Sequence, residues 1–70
     1  MLARGKSNIA DNIKKYRAKL GISQDRLSKL ADVTLHTITK IESGANINPT
    51  IDTIKKIASA LSVSVDDLIK

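Results

Sequence analysis

The chain has 70 residues, enough for one small domain that folds without staples. It has no cysteine and a single histidine, which excludes disulfides and thiolate metal sites and leaves too few ligands for a structural zinc site of the usual kind. The net charge of +5 is unevenly spread. Residues 1–40 carry nine basic side chains against three acidic ones, whereas residues 41–70 carry three against four. A basic surplus in one part of a chain is the footprint of a polyanion binder, although charge alone fits an ordinary solvated surface equally well.

Tyr16 is the only aromatic residue. Single-strand and RNA binders rely on aromatic stacking platforms, so the composition favours duplex recognition through phosphates and base edges. No segment approaches the ~20 apolar residues of a membrane helix. The start of the chain is polar and basic, unlike a signal peptide. These features set the expectation of a soluble cytoplasmic protein with no cofactor. Arg4 and Lys6, within residues 1–6, read as a flexible arm.

The apolar spacing is helical from end to end. Ile9, Ile13, Tyr16 and Leu20 share one face of a first helix, with Ser7 placed to cap it and Gly21 to stop it. Ser23 caps a second helix whose inward stripe is Leu27, Leu30 and Ala31. Asp32 and Val33 make a tight turn. Thr34 caps a third helix, running from about Leu35 to Ser43, with Ile38 and Ile41 inward and Gly44 as its stop. Residues 45–49 form a loop in which Ile47 is the expected apolar anchor. A fourth helix begins at Thr50, with Ile51, Ile54, Ile57, Ala58 and Leu61 inward. Ser64 and Asp67 form a capping-box pattern for a short fifth helix carrying Val65, Leu68 and Ile69. The expected fold is all-α, one compact five-helix bundle over residues 1–70.

The informative stretch is SQDRLSKLADVTLHTITKIESG, Ser23 to Gly44. Two short helices joined by about three residues must cross steeply, at ~90–120°, which is a helix-turn-helix. A turn of 100° per residue then gives the outer face of the third helix. Opposite Ile38 and Ile41 lie His36, Thr39, Lys40 and Ser43, with Leu35 and Thr37 on the flanks. Lysine and histidine can donate to guanine O6 and N7, and leucine and threonine can meet a thymine methyl. An enzyme has no inventory here: no cysteine nucleophile, no histidine with a carboxylate partner, and no glycine-rich phosphate loop. The Asp66–Asp67 pair reads as a helix-start device.

The segment resembles the helix-turn-helix of the phage lambda-type repressor, Cro and Xre family. The resemblance runs from about Ile9 to Ile69. It is carried by Arg17, Ser23-Gln24, Leu27, Ala31, Thr34, Ile38, Ile41-Glu42 and Gly44, then by Pro49-Thr50, Ile57-Ala58, Ala60-Leu61 and the ending VSVDDLI. It implies base-contact positions at Leu35, His36, Thr39 and Lys40. It implies phosphate-facing positions at Ser23, Thr37, Ser43 and Asn46, with Thr34 counted among the DNA-facing residues. Gln24 would lie at the groove edge, its backbone amide near a phosphate and its side chain near bases or neighbouring side chains. Arg17 and Glu42 would form a structural ion pair. Two departures stand out. Asp32 holds a turn position usually given to glycine. The loop Ala45-Asn46-Ile47-Asn48 lacks the lysine or arginine often found there, so backbone amides and asparagine would meet phosphate, with weaker salt dependence.

The resemblance implies a repressor binding a palindromic operator as a homodimer. Val63, Val65, Leu68 and Ile69 are the expected dimer surface, and they serve equally well to close the core. A competing reading is an antitoxin-type module that neutralises a protein partner and controls its own operon. The absence of an extended tail after the fifth helix weighs against it. A third is the DNA-binding part of a longer repressor.

Overall fold

A computed structural model describes residues 8–70, so the expected arm at Arg4 and Lys6 and the expected cap at Ser7 lie outside the described residues. The helical pattern resolves into α1 (Ile9–Leu20), α2 (Gln24–Ala31), α3 (Leu35–Glu42), α4 (Ile51–Leu61) and α5 (Val65–Ile69). No strand occurs among the described residues. No helix among them is long and apolar enough to cross a membrane.

Three of the four corners are built from the same three-residue connector: Gly21-Ile22-Ser23, Asp32-Val33-Thr34 and Ser62-Val63-Ser64. The first residue of each is left-handed, with φ of 68°, 57° and 59°. Its amide donates three residues back, from Gly21 to Ala18, Asp32 to Lys29 and Ser62 to Ser59. The next amide donates five residues back, from Ile22 to Arg17, Val33 to Ser28 and Val63 to Ala58. Together they satisfy the carbonyls that a helix end leaves free. The middle residue is apolar and packs against the core. The third is a hydroxyl that accepts the first free amides of the next helix, Ser23 from Arg26, Thr34 from Thr37 and Ser64 from Asp67. Asp32 thus takes the left-handed conformation of a position usually given to glycine. Ser62 does so as well, without a glycine or asparagine to announce it.

The core comprises Ile9, Ile13, Leu27, Ala31, Ile38, Ile41, Ile54, Ile57, Ala58, Leu61 and Leu68. Four residues expected inward are exposed instead. Leu20 has the phase of Ile13, yet burial fades along that stripe from Ile13 through Tyr16 to Leu20, which is 50% exposed. Helical phase gives direction but not where the neighbouring elements end. Leu30 flanks the Leu27–Ala31 stripe by more than half a right angle and is exposed. Ile51 opens α4 at the rim, and Ile47, at 63% exposure, anchors nothing.

α5 is too short to hold by itself. Leu68 pins it to the core, and the Ser64–Asp67 capping box is fully formed. At its other end, Asn12 Nδ2 donates to the Leu68 carbonyl at 2.8 Å and Asn8 Nδ2 to that of Lys70 at 2.7 Å. Asn8 occupies the N-cap position of α1 without a capping bond, its side chain being spent on α5. Leu68 is fully buried, which corrects its placement on a dimer surface: its side chain has no area left to offer.

Candidate nucleic-acid interface

The corner at Asp32-Val33-Thr34 sets α3 against α2. α2 brings Leu27 and Ala31 to the shared core, and the buried Ser28 hydroxyl satisfies itself on the Asp25 carbonyl at 2.7 Å. Ile38 and Ile41 lock α3 from beneath, each with no exposed area. The outward residues of α3 and its cap follow the predicted periodicity except at two positions: Leu35, expected on the flank, is exposed, and Thr39, expected on the outer face, is half-buried. Leu35, His36, Lys40 and Ser43 are exposed, while Thr37 and Thr39 are half-buried at the edges.

The polar groups on this face differ in what they have left to give. Among the described residues, the side chains of His36 and Lys40 have no hydrogen-bond or ion-pair partner. Thr39 donates its hydroxyl proton to the His36 carbonyl at 3.0 Å, leaving its methyl and oxygen lone pairs. Ser43 donates to the Lys40 carbonyl and accepts from the Ala45 amide. Thr34 and Thr37 share a hydroxyl–hydroxyl bond of 2.9 Å. Asn46, half-buried, uses Oδ1 to accept from the Asn48 amide, so its Nδ2 is the part free to donate. Ser23 is exposed at the start of α2, its oxygen engaged as the cap.

α3 also differs from its neighbours at its positive end. A helix start favours acidic side chains. Asp11, Asp25, Asp52 and the Asp66–Asp67 pair occupy the first turns of the other four helices, whereas the first turn of α3 has none. Its N-terminal dipole is left uncompensated beside a face of donors, an arrangement suited to an anionic partner.

Behind the face sits a charged brace. Arg17 of α1 grips Glu42 at the end of α3 with both forks, Nε to Oε2 at 2.9 Å and Nη2 to Oε1 at 3.0 Å. Its Nη1 donates to the Ile22 carbonyl at 3.0 Å, tying the pair to the first corner. The hydrogen bond to Glu42 holds the Arg17 guanidinium protonated more firmly than usual, against the opposing effect of burial. Glu42 is 4% exposed, so its charge depends on these donors. Gln24 supplies a third donor: its Nε2 reaches Glu42 Oε1 at 3.0 Å, which gives the neighbouring side chain expected of it an identity. Sequence spacing pairs residues within one helix, and this contact joins the start of α2 to the end of α3. Of the residues assigned to a dimer surface, Val63 and Val65 are half-buried and Ile69 is exposed on α5.

Two short helices about a three-residue corner, with an apolar inner row and a polar, acid-free outer row, define a helix-turn-helix. Residues 13–68 match the family HTH_3, helix-turn-helix, and the chain belongs to that family, of the lambda-repressor type. It is 34% identical over 61 residues to the transcriptional regulator SinR of Bacillus subtilis, covering 87% of this chain and 55% of SinR. The chain therefore spans about half the length of that relative. The structure of SinR in complex with DNA superposes with a TM-score of 0.83 at 35% identity, over 86% of this chain and 95% of that one. The P22 c2 repressor in complex with a synthetic operator superposes at 0.80 with 29% identity, over 89% of this chain and 92% of that one. These relatives are named as a transcriptional regulator and a repressor, and both superposed structures hold DNA.

Proposed function

We propose that this chain regulates transcription by reading a specific sequence in the major groove of double-stranded DNA with the outer row of α3. The observation that carries the reading is the division of that helix. Ile38 and Ile41 are wholly buried, while His36 and Lys40 stand exposed with unspent donors. Lys40 and His36 donate to guanine O6 and N7, and Leu35 and the Thr39 methyl meet thymine methyls. Ser23, Thr34, Thr37, Ser43 and Asn46 face phosphates, joined by the start of α3.

The chain acts as a repressor on a palindromic operator, bound by a homodimer. One copy of so small a unit covers little DNA, and two linked copies raise affinity without new contacts. Two copies place their half-sites about one helical turn apart, ~34 Å. Exposed Ile69, with Val63 and Val65 beside it, is the proposed dimer surface. Residues 1–70 work as a single DNA-binding unit, in the cytoplasm where a bacterial or phage operator is found. Selection of bound sequences from a random duplex pool, followed by sedimentation of the complex, tests this. A palindrome carrying two chains is the expected result. An asymmetric motif carrying one chain removes the homodimer, and no enriched sequence at all removes the DNA reading.

A further inference from the structure

Gln24 opens α2, half-buried, with its amide nitrogen on Glu42. An ionised carboxylate only accepts hydrogen bonds. Arg17 already donates to both Glu42 oxygens. The glutamine cannot turn its own oxygen inward without setting oxygen against oxygen. An amide orientation that is ambiguous in most settings is therefore fixed here by the partner's chemistry. Glu42 takes one of the two amide hydrogens. One N–H and the oxygen Oε1 remain, and among the described residues neither has a partner. Glu42 follows Thr39 by three residues, so the two share a side of α3. The Gln24 amide is thus held at the end of α3, on the side of that helix that Glu42 shares with Thr39.

We infer that Gln24 is a specificity-determining residue, pre-set by Glu42 as a donor–acceptor pair that selects adenine. The inference rests on the groove-reading function proposed above. In the major groove adenine offers an acceptor at N7 beside a donor at N6, the complement of the amide's remaining edge. Guanine offers two acceptors. With one hydrogen spent on Glu42, the amide would have to face guanine with its oxygen. Cytosine and thymine satisfy at most one of the two groups. The brace also fixes the side chain before DNA arrives, which lowers the ordering cost of the contact.

The test is selection from a random duplex pool by the unaltered chain, by Gln24→Met and by Glu42→Gln. The unaltered chain should favour adenine on the order of tenfold at one position of its motif. Gln24→Met should flatten that position alone, and should melt somewhat below the unaltered chain because buried Glu42 loses one of its three donated bonds. Glu42→Gln gives the amide a partner that both donates and accepts, so the position should broaden to admit guanine. If Glu42→Gln does not fold, the Gln24→Met result decides. An intact motif with uniformly weaker binding in Gln24→Met makes Gln24 a brace or a phosphate contact and overturns the inference. So does a Glu42→Gln motif unchanged at that position. Failure of the unaltered chain to enrich any motif removes the groove-reading function, and this inference with it.

Discussion

The corners after α2 and after α4 have the same construction and lead to opposite ends. Asp32-Val33-Thr34 and Ser62-Val63-Ser64 share their left-handed first residue, their pair of backward hydrogen bonds and their hydroxyl cap. The first is followed by eight helical residues with an acid-free start and an exposed outer row. The second is followed by five residues that begin with two aspartates and are pinned by Leu68. This corner construction is therefore not in itself a signal for DNA. What sets the two apart is the charge at the start of the following helix and the number of donors it leaves unspent. An anion approaching α5 meets Asp66 and Asp67; one approaching α3 meets free amides, His36 and Lys40.

The comparison can be broken or sharpened in four ways. Arg17→Ala leaves Glu42 buried without its main partner and should cost ~3–5 kcal/mol in a urea unfolding experiment. A loss below 1 kcal/mol would mean that α3 does not depend on the brace. Next, Lys40→Ala should weaken specific binding by ~1–3 kcal/mol and relax preference at one base pair. Lys70→Ala, at the far end of α5, should leave affinity unchanged. Equal effects on random and specific duplexes would make Lys40 a phosphate contact. Glycine at the two left-handed residues probes the corners themselves. Ser62→Gly should stabilise by about 0.5–1 kcal/mol, and Asp32→Gly by less, because aspartate visits this conformation more readily than serine. The reverse order in thermal melting would show that Asp32 is the more strained.

The smallest effect concerns acid. The Ser64 amide, and after it the Ser64 hydroxyl, hold the Asp67 carboxyl below its ordinary value of 3.8. A carboxyl whose pKa is depressed by folding stabilises the fold above its unfolded value, and that contribution is lost as pH falls through the folded value. Asp67→Asn should therefore be less stable than the unaltered chain at pH 7, with the gap closing below about pH 4. A gap independent of pH would assign the loss to cap geometry alone.

The sequence made local features plain. The caps at Ser23, Thr34 and Ser64, the stop at Gly21 and the left-handed Asp32 each depend on neighbours within five residues. Periodicity likewise divided α3 into its two rows. It overreached where burial depends on distant elements. Leu20, Leu30, Ile47 and Ile51 have apolar side chains but little or nothing above them, and of the two places open to Leu68, core or dimer surface, the fold takes the core. Ser62 escaped notice because its backbone is dictated by the packing on either side rather than by its own preference. The long-range bonds, Gln24 to Glu42 and Asn8 and Asn12 to the end of α5, leave no periodic trace and were not anticipated as such.

The 2.7 Å hydrogen bond from the Asn8 side chain to the Lys70 carbonyl joins the two ends of the described chain. The path of the backbone is thus nearly a closed ring, and the order in which the helices are strung on it is open to rotation. A short bridge from Lys70 to Asn8, with new ends opened in the exposed Ile47-Asn48 loop, would lead the chain through α4 and α5 before α1. Such a permuted chain should melt in one cooperative step and keep α2, α3 and their corner uninterrupted. A broad, non-cooperative melt would show instead that the native order of elements is needed to assemble the core.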